Sequence, residues 1–166
     1  AVHGQVNILI NNAGITIQKS FENHSIADWQ RMVDTNLWGV IYGYKLFLPV
    51  LKETASKGGA HIINLSSMSA FIGLPMQSSY CTVKAGVHLL SESLWSELYD
   101  YGIGVTSVHP GAIQTDMIKA TLNDSDNLEQ AKKNFEFAQK TGVTPEHAAE
   151  RIIDAIAKNR VRIRIG

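Results

Sequence analysis

Cysteine is nearly absent from this 166-residue sequence: Cys81 is the only one. No intramolecular disulfide can form and no multi-thiolate metal site can be built, which fits a reducing compartment and gives the expectation of a cytoplasmic protein. A surplus of charge of either sign is also lacking. Lys and Arg number 15, as do Asp and Glu, so no net charge draws nucleic acid or an anionic membrane surface. No apolar run approaches the roughly 18 residues of a membrane-spanning helix. The opening AVHGQVNILINN has neither the basic stretch nor the cleavage site of a signal peptide. His3, His24, His61, His88, His109 and His147 show no HExxH or paired ligand spacing, so no metal site is expected. No Gly-x-Ser-x-Gly elbow is present, which disfavours an α/β-hydrolase. There is no internal repeat.

What remains is an ordinary globular composition. Hydrophobic residues make up 45% of the chain, enough for a packed core in a single domain. Four short apolar runs read as strands: Val6 to Asn11, His61 to Ser66, Val105 to His109 and Val161 to Ile165. The first three are nearly continuous in apolar or small residues, as in strands covered on both faces. The last alternates Val/Ile with Arg, as an edge strand does. Helical patterns lie between them. Ser25 and Asp28 form a capping-box signature, followed by apolar residues at helical spacing from Trp29 to Leu48. Pro49 is expected to kink or end that helix. A second helix runs from about Ser79 to Tyr101 and stops at Gly102. A third starts with Thr144 as N-cap and Pro145 in its first turn, and reaches about Lys158. Strands alternating with long helices predict an α/β fold with a parallel sheet and right-handed crossovers. Residues 116–142 are polar, with one amphipathic stretch from Leu128 to Gln139. They read as an excursion beyond the C-terminal end of a strand, where open α/β sheets bind ligands. Trp29, Trp38 and Trp95 read as packing residues. Cys81 reads as a small core or helix-face residue, and Met117 and Ile118 as substrate-loop or lid residues.

The chemistry concentrates in SSYCTVKAG, Ser78 to Gly86. Tyr80 and Lys84, four apart, share one helix face. A free Tyr has a pKa near 10, and an ammonium beside it stabilises the phenolate. A Tyr so tuned can exchange a proton with an alkoxide or alcohol. Ser67 stands thirteen positions before Tyr80, at the ligand end of a predicted strand. Its hydroxyl can hold a substrate oxygen while Tyr80 handles the proton. Ser66 is the competing candidate, and the two point to opposite faces of the strand.

With these residues the chain resembles the short-chain dehydrogenase/reductase family, in its compact single-domain branch. The Ser67–Tyr80 separation and Tyr-x-x-x-Lys are joined by NNAG (Asn11 to Gly14) after the first strand. Asn36 lies in DTNLWG, and HPGAIQT carries Pro110, Gly111 and Thr115 at the family's Pro-Gly-x-x-x-Thr spacing. The resemblance covers essentially the whole chain. It implies a hydride transfer between NAD or NADP and an alcohol or ketone, the choice of cofactor left open. In that scheme Ser67 orients the substrate oxygen and Tyr80 is general acid or base. Lys84 lowers the Tyr80 pKa and grips the cofactor ribose, and Asn36 holds a water in a proton path. Asn11, Ala13, Gly14, Tyr80, Lys84, Pro110, Gly111, Ile113 and Thr115 are the implied cofactor contacts. A homodimer or homotetramer is implied through helices 27–48 and 79–101, where Phe47, Leu48, Leu94, Trp95 and Leu98 look surplus to one sheet face.

The family's opening Gly-rich turn has no counterpart here. Gly102-Ile-Gly104 ends a helix and enters a strand, the reverse of the required order. AVHGQ reads as the tail of a helix and the loop before the family's fourth strand. Residues 1–166 are therefore expected to form the C-terminal part of a Rossmann-type, doubly wound sheet. They would supply strands four to seven of the family order, with 116–142 as a substrate-side lid and roughly 80 preceding residues absent, about two and a half βα units. Two other functions stand beside the oxidoreductase: a truncated, non-catalytic binding module, and an epimerase or dehydratase of the same superfamily. The Ser position disfavours the last.

Overall fold

The computed structural model describes residues 4–120 and 122–166. The expectation for Ala1–His3, and that for the Ile118 side chain, lie outside what is described. Four strands, β1 (Ile8–Asn11), β2 (Ala60–Leu65), β3 (Ile103–Pro110) and β4 (Arg162–Ile165), form one parallel sheet in the order β1-β2-β3-β4. The predicted α/β class and parallel sheet are what the chain adopts.

The first connection departs from a simple helix. Ser25 caps α1 (Ile26–Val33) with both halves of the capping box in place. Asp28 also receives Lys19 Nζ at 2.9 Å, and chiefly through that bond its carboxyl is held down at about 2. The helix then widens into a π segment, Asp34–Trp38, before α2 (Gly39–Gly58). There the Gly39 N–H reaches the Asp34 carbonyl, five residues back. A π turn disturbs the regular ladder and commonly marks a functional position. Of the two outcomes expected at Pro49, a kink or a stop, the stop does not occur: the helix runs on to Gly58. Lys45 and Pro49 both lie on the exposed side, where water can take the carbonyl that Pro leaves unpaired. Leu51, fully buried two residues on, holds the helix to the sheet.

The helix α3 (Ser78–Leu98) follows β2 and ends through a 3₁₀ turn at Gly102, whose φ of +69° suits a residue without Cβ. Beyond β3 come α4 (Asp116–Ala120), α5 (Leu128–Thr141) and α6 (Pro145–Ala157), the last capped by Thr144 as expected.

Neighbouring strand residues sort the two faces. Ile62 and Val105 pack with Val40, Tyr44 and Leu51 of α2 and Val87 of α3. Ile63, Val108 and Ile165 pack with Ala148, Ile152 and Ile156 of α6. The sheet is thus doubly wound, with α2 and α3 on one face and α6 on the other. Strand order advances in one direction while the last helix changes face, so the three crossovers cannot share one hand. This corrects the expectation of uniformly right-handed crossovers. The handedness preference acts on short connections that fold straight back onto the sheet, whereas the excursion through α4 and α5 carries the chain around to the far face.

Two further expectations change. β1 is covered on one face only: Leu9 joins the α2/α3 core while Ile8 and Ile10 are about half exposed. The surplus apolar surface also differs from the expected set. Leu98 is buried, and Leu48, Leu94 and Trp95 pack on the core. The exposed stripe is Trp38, Tyr42, Leu46 and Val50, flanked by Phe47 and by Leu89 of α3. No described helix is long and apolar enough to cross a membrane.

Candidate active site

The C-terminal ends of β2 and β3 open into a cavity of about 570 Å³. Ser66, Ser67 and Met68 line it from the β2 end, and Tyr80 and Lys84 from α3. Pro110, Gly111, Ile113 and Thr115 line it from the segment after β3. The roof comes from Met117, Phe137 and Ala138. Among the described residues, Lys84 is the only charged side chain in this lining.

The geometry separates the two serines. Ser66 Oγ donates to the Lys84 carbonyl at 2.8 Å, so its hydroxyl is tied to the α3 backbone. Ser67 Oγ accepts from the Ser69 N–H at 3.1 Å, contacts Ser69 Oγ at 3.2 Å, and borders the cavity beside Tyr80. Burial pushes the Tyr80 phenol above its ordinary range, and a hydrogen bond with Ser67 opposes that push in part. Lys84 Nζ donates to the Leu65 carbonyl at 2.7 Å and stands 5.6 Å from the centre of the Tyr80 ring. Desolvation pushes its amine down to about 8. In this arrangement burial, rather than the neighbouring amine, dominates the phenol, the reverse of the direction expected from the Tyr–Lys spacing.

Asn36 and Asn11 serve the site from behind. Asn36 is buried in the π segment. Its amide nitrogen donates to the Ile15 and Met32 carbonyls at 3.2 and 3.1 Å, and its oxygen accepts from the Ile15 N–H at 3.1 Å. It therefore fixes Gly14 and Ile15 beside Lys84 and does not itself line the cavity. A Cβ at Gly14 would stand 2.8 Å from Asn36 Oδ1 and 3.6 Å from Lys84 Nζ, so the backbone can come this close only without a side chain. Asn11 turns inward: its Nδ2 donates to Asn64 Oδ1 at 2.8 Å, under Gly43 of α2, where a Cβ would strike its amide oxygen. Asn12, the next residue, borders the cavity instead. Ala13 is exposed and outside the lining. Sequence reasoning also missed Thr16 and Gln18, which sit on an aperiodic loop that carried no pattern to place them.

A second group supports Ser67. His109, fully buried, approaches the Ser67 carbonyl through Nδ1 at 3.1 Å and Ser107 Oγ through Nε2 at 3.0 Å. A carbonyl only accepts, so Nδ1 carries the proton and Nε2 is left as the acceptor. Desolvation, the largest cause, pushes this imidazole down to about 4. The unfolded chain then binds more protons than the fold between the ordinary imidazole value and about 4, so stability falls as pH drops through that window. We expect a loss on the order of 2 kcal/mol between pH ~6.5 and ~4. His109→Gln should flatten this limb in urea titrations at a series of pH values; an unchanged limb would assign it to other groups.

A nicotinamide cofactor is what the family resemblance implies, and the residues fit one end of it. Gly14 leaves a close backbone approach beside Lys84, and the segment from Pro110 to Thr115 faces the same cavity. Gly102 and Gly104 lie at the opposite, N-terminal ends of the strands.

Comparison with known proteins agrees with this architecture. A family model described as short chain dehydrogenase matches residues 1–126. The acetoacetyl-CoA reductase of Cupriavidus necator is 39% identical over 121 residues, covering 73% of this chain and 48% of that protein. The NADP-dependent (R)-specific alcohol dehydrogenase of Lentilactobacillus kefiri is 37% identical over 141 residues, covering 83% and 52%. A short-chain dehydrogenase/reductase from Burkholderia phymatum, solved in complex with NAD, superposes with a TM-score of 0.86 at 25% identity, covering 97% of this chain and 61% of that one. The chain thus spans about half the length of these two sequence relatives. By its motifs, its sheet and a family match over most of its length, the chain belongs to the short-chain dehydrogenase/reductase family.

Proposed function

We propose that the protein is an oxidoreductase acting on an alcohol or carbonyl compound with NAD or NADP. The observation that carries this reading is the convergence of Ser67, Tyr80 and Lys84 on one cavity at the C-terminal ends of parallel strands. A bound nicotinamide would supply or accept the hydride. Ser67 holds the substrate oxygen by a hydrogen bond. Tyr80 gives that oxygen a proton in reduction and takes one in oxidation. Burial raises its pKa, and the protonated phenol is the form that acts as the acid. Lys84, donating to the Leu65 carbonyl, keeps a cation or strong donor beside the phenol. Asn36 and His109 hold the backbone of this site in place. No observation favours the epimerase or the non-catalytic module. The Lentilactobacillus relative is NADP-dependent by name and the Burkholderia structure contains NAD, so both cofactors belong in the assay. Oxidation of NADH or NADPH on addition of a ketone panel tests the reading, and no ketone-dependent oxidation with either would reject it.

The protein is also proposed to self-associate through α2 and α3. The stripe of Trp38, Tyr42, Leu46 and Val50 presents more apolar surface than isolated residues do. Light scattering at micromolar concentration should give a dimer or tetramer, and the double variant Tyr42→Arg, Leu46→Glu a monomer. A monomeric wild type would remove the interface.

A further inference from the structure

Resting on the oxidoreductase reading above, we infer that the substrate is uncharged, largely apolar, and carries a second neutral oxygen that Gln18 reads. Gln18 is 3% exposed and borders the cavity. Its backbone is committed: the N–H donates to the Asp124 carbonyl at 3.2 Å, and its own carbonyl accepts from the Asp126 N–H at 3.3 Å. Its side-chain amide has no hydrogen-bond partner among the described residues. It borders the cavity, so its partner comes from whatever fills that space, water or ligand. Wherever a site leaves a polar group waiting, a ligand that supplies the partner is favoured over one that does not.

The cavity around it sets the rest of the substrate. Ile72, Leu74, Met117, Phe137 and Ile152 give it apolar walls. Lys84 is the sole charged group in the described lining, and it stands at Tyr80. A carboxylate or phosphate in the body of the substrate would therefore be desolvated without a countercharge. An amide offers both a donor and an acceptor, so the second oxygen can belong to a carbonyl or a hydroxyl.

The test compares shape-matched probes on the protein at its natural length. The ortho, meta and para diacetylbenzenes are each paired with the corresponding isopropylacetophenone. Within each pair one carbonyl oxygen is replaced by a methyl group at the same branch point. Binding is measured by calorimetry for wild type, Gln18→Leu and Gln18→Met, and ketone-dependent NADH and NADPH oxidation is followed in parallel. The quantity read is the affinity ratio within each pair, so a general loss of binding cancels. Both variants should lower that ratio about fivefold or more for at least one ring position. A smaller change at all three positions, in either variant, overturns the role of Gln18 whether or not turnover occurs. Binding of the diketone through Gln18 without any cofactor oxidation would instead reject the oxidoreductase reading alone.

Discussion

Tyr80→Phe should lower kcat for ketone reduction by about 10²–10⁴-fold, the range for loss of a positioned acid, and should leave cofactor affinity and melting temperature near wild type. The ring belongs to the packing around Ile17, Met32 and Val83, and Phe keeps that packing. Only the hydroxyl at the cavity is lost, and with it the transferable proton. The Ser67 hydroxyl survives in the variant and can still hold the substrate oxygen, so KM should move far less than kcat. Such a split separates a chemical role from a structural one. Steady-state kinetics with cofactor titrations read all of this. A variant within tenfold of wild-type kcat would assign the proton to another group.

Asn64→Leu should cost about 2–4 kcal/mol, as expected when several buried groups lose partners together. Asn64 is fully buried at the centre of the sheet. It accepts from Asn11 Nδ2 at 2.8 Å, and its own Nδ2 donates to Tyr44 Oη at 2.6 Å and Ser91 Oγ at 2.8 Å. This one side chain ties β1, α2 and α3 to β2. Leucine keeps the branching of its side chain, though it is bulkier, and leaves the Asn11 amide and the Tyr44 hydroxyl without their partner. The melting temperature should fall by roughly 5–15 °C for a chain of this size, measured by thermal and urea unfolding. A drop of under about 2 °C, less than 1 kcal/mol would produce, would mean that water or rotation satisfies the stranded groups.

The elements that the sequence specifies locally are the ones that were legible in it. The Ser25–Asp28 capping box, the Thr144–Pro145 helix start, the Gly102 stop and the Ile/Arg alternation of β4 each depend on a few neighbouring residues. All four appear in the structure as expected. The Ser67–Tyr80–Lys84 group was legible because a strand end and a helix with fixed spacing carry it. What tertiary packing decides was not legible. The π segment at Asn36 shifts the hydrogen-bond ladder by one residue without any change in apolar spacing. Pro49 sits within a helix because Leu51 beyond it is buried. Asn11 turns into the core because Asn64, 53 residues away, waits for it. Gln18 acquires its setting only when segment 124–126 closes over its loop.

The central claim is that this site moves a hydride between a nicotinamide and a carbonyl carbon. It is tested most directly with NADH and NADPH deuterated at the transferring carbon, incubated with a ketone substrate and the natural-length protein, with the alcohol analysed by mass spectrometry and NMR. The account predicts one deuterium per alcohol, on the carbinol carbon and in a single configuration, and almost none when Tyr80 is replaced by Phe. Alcohol formed without the label, or deuterium transfer that persists undiminished in Tyr80→Phe, would contradict it.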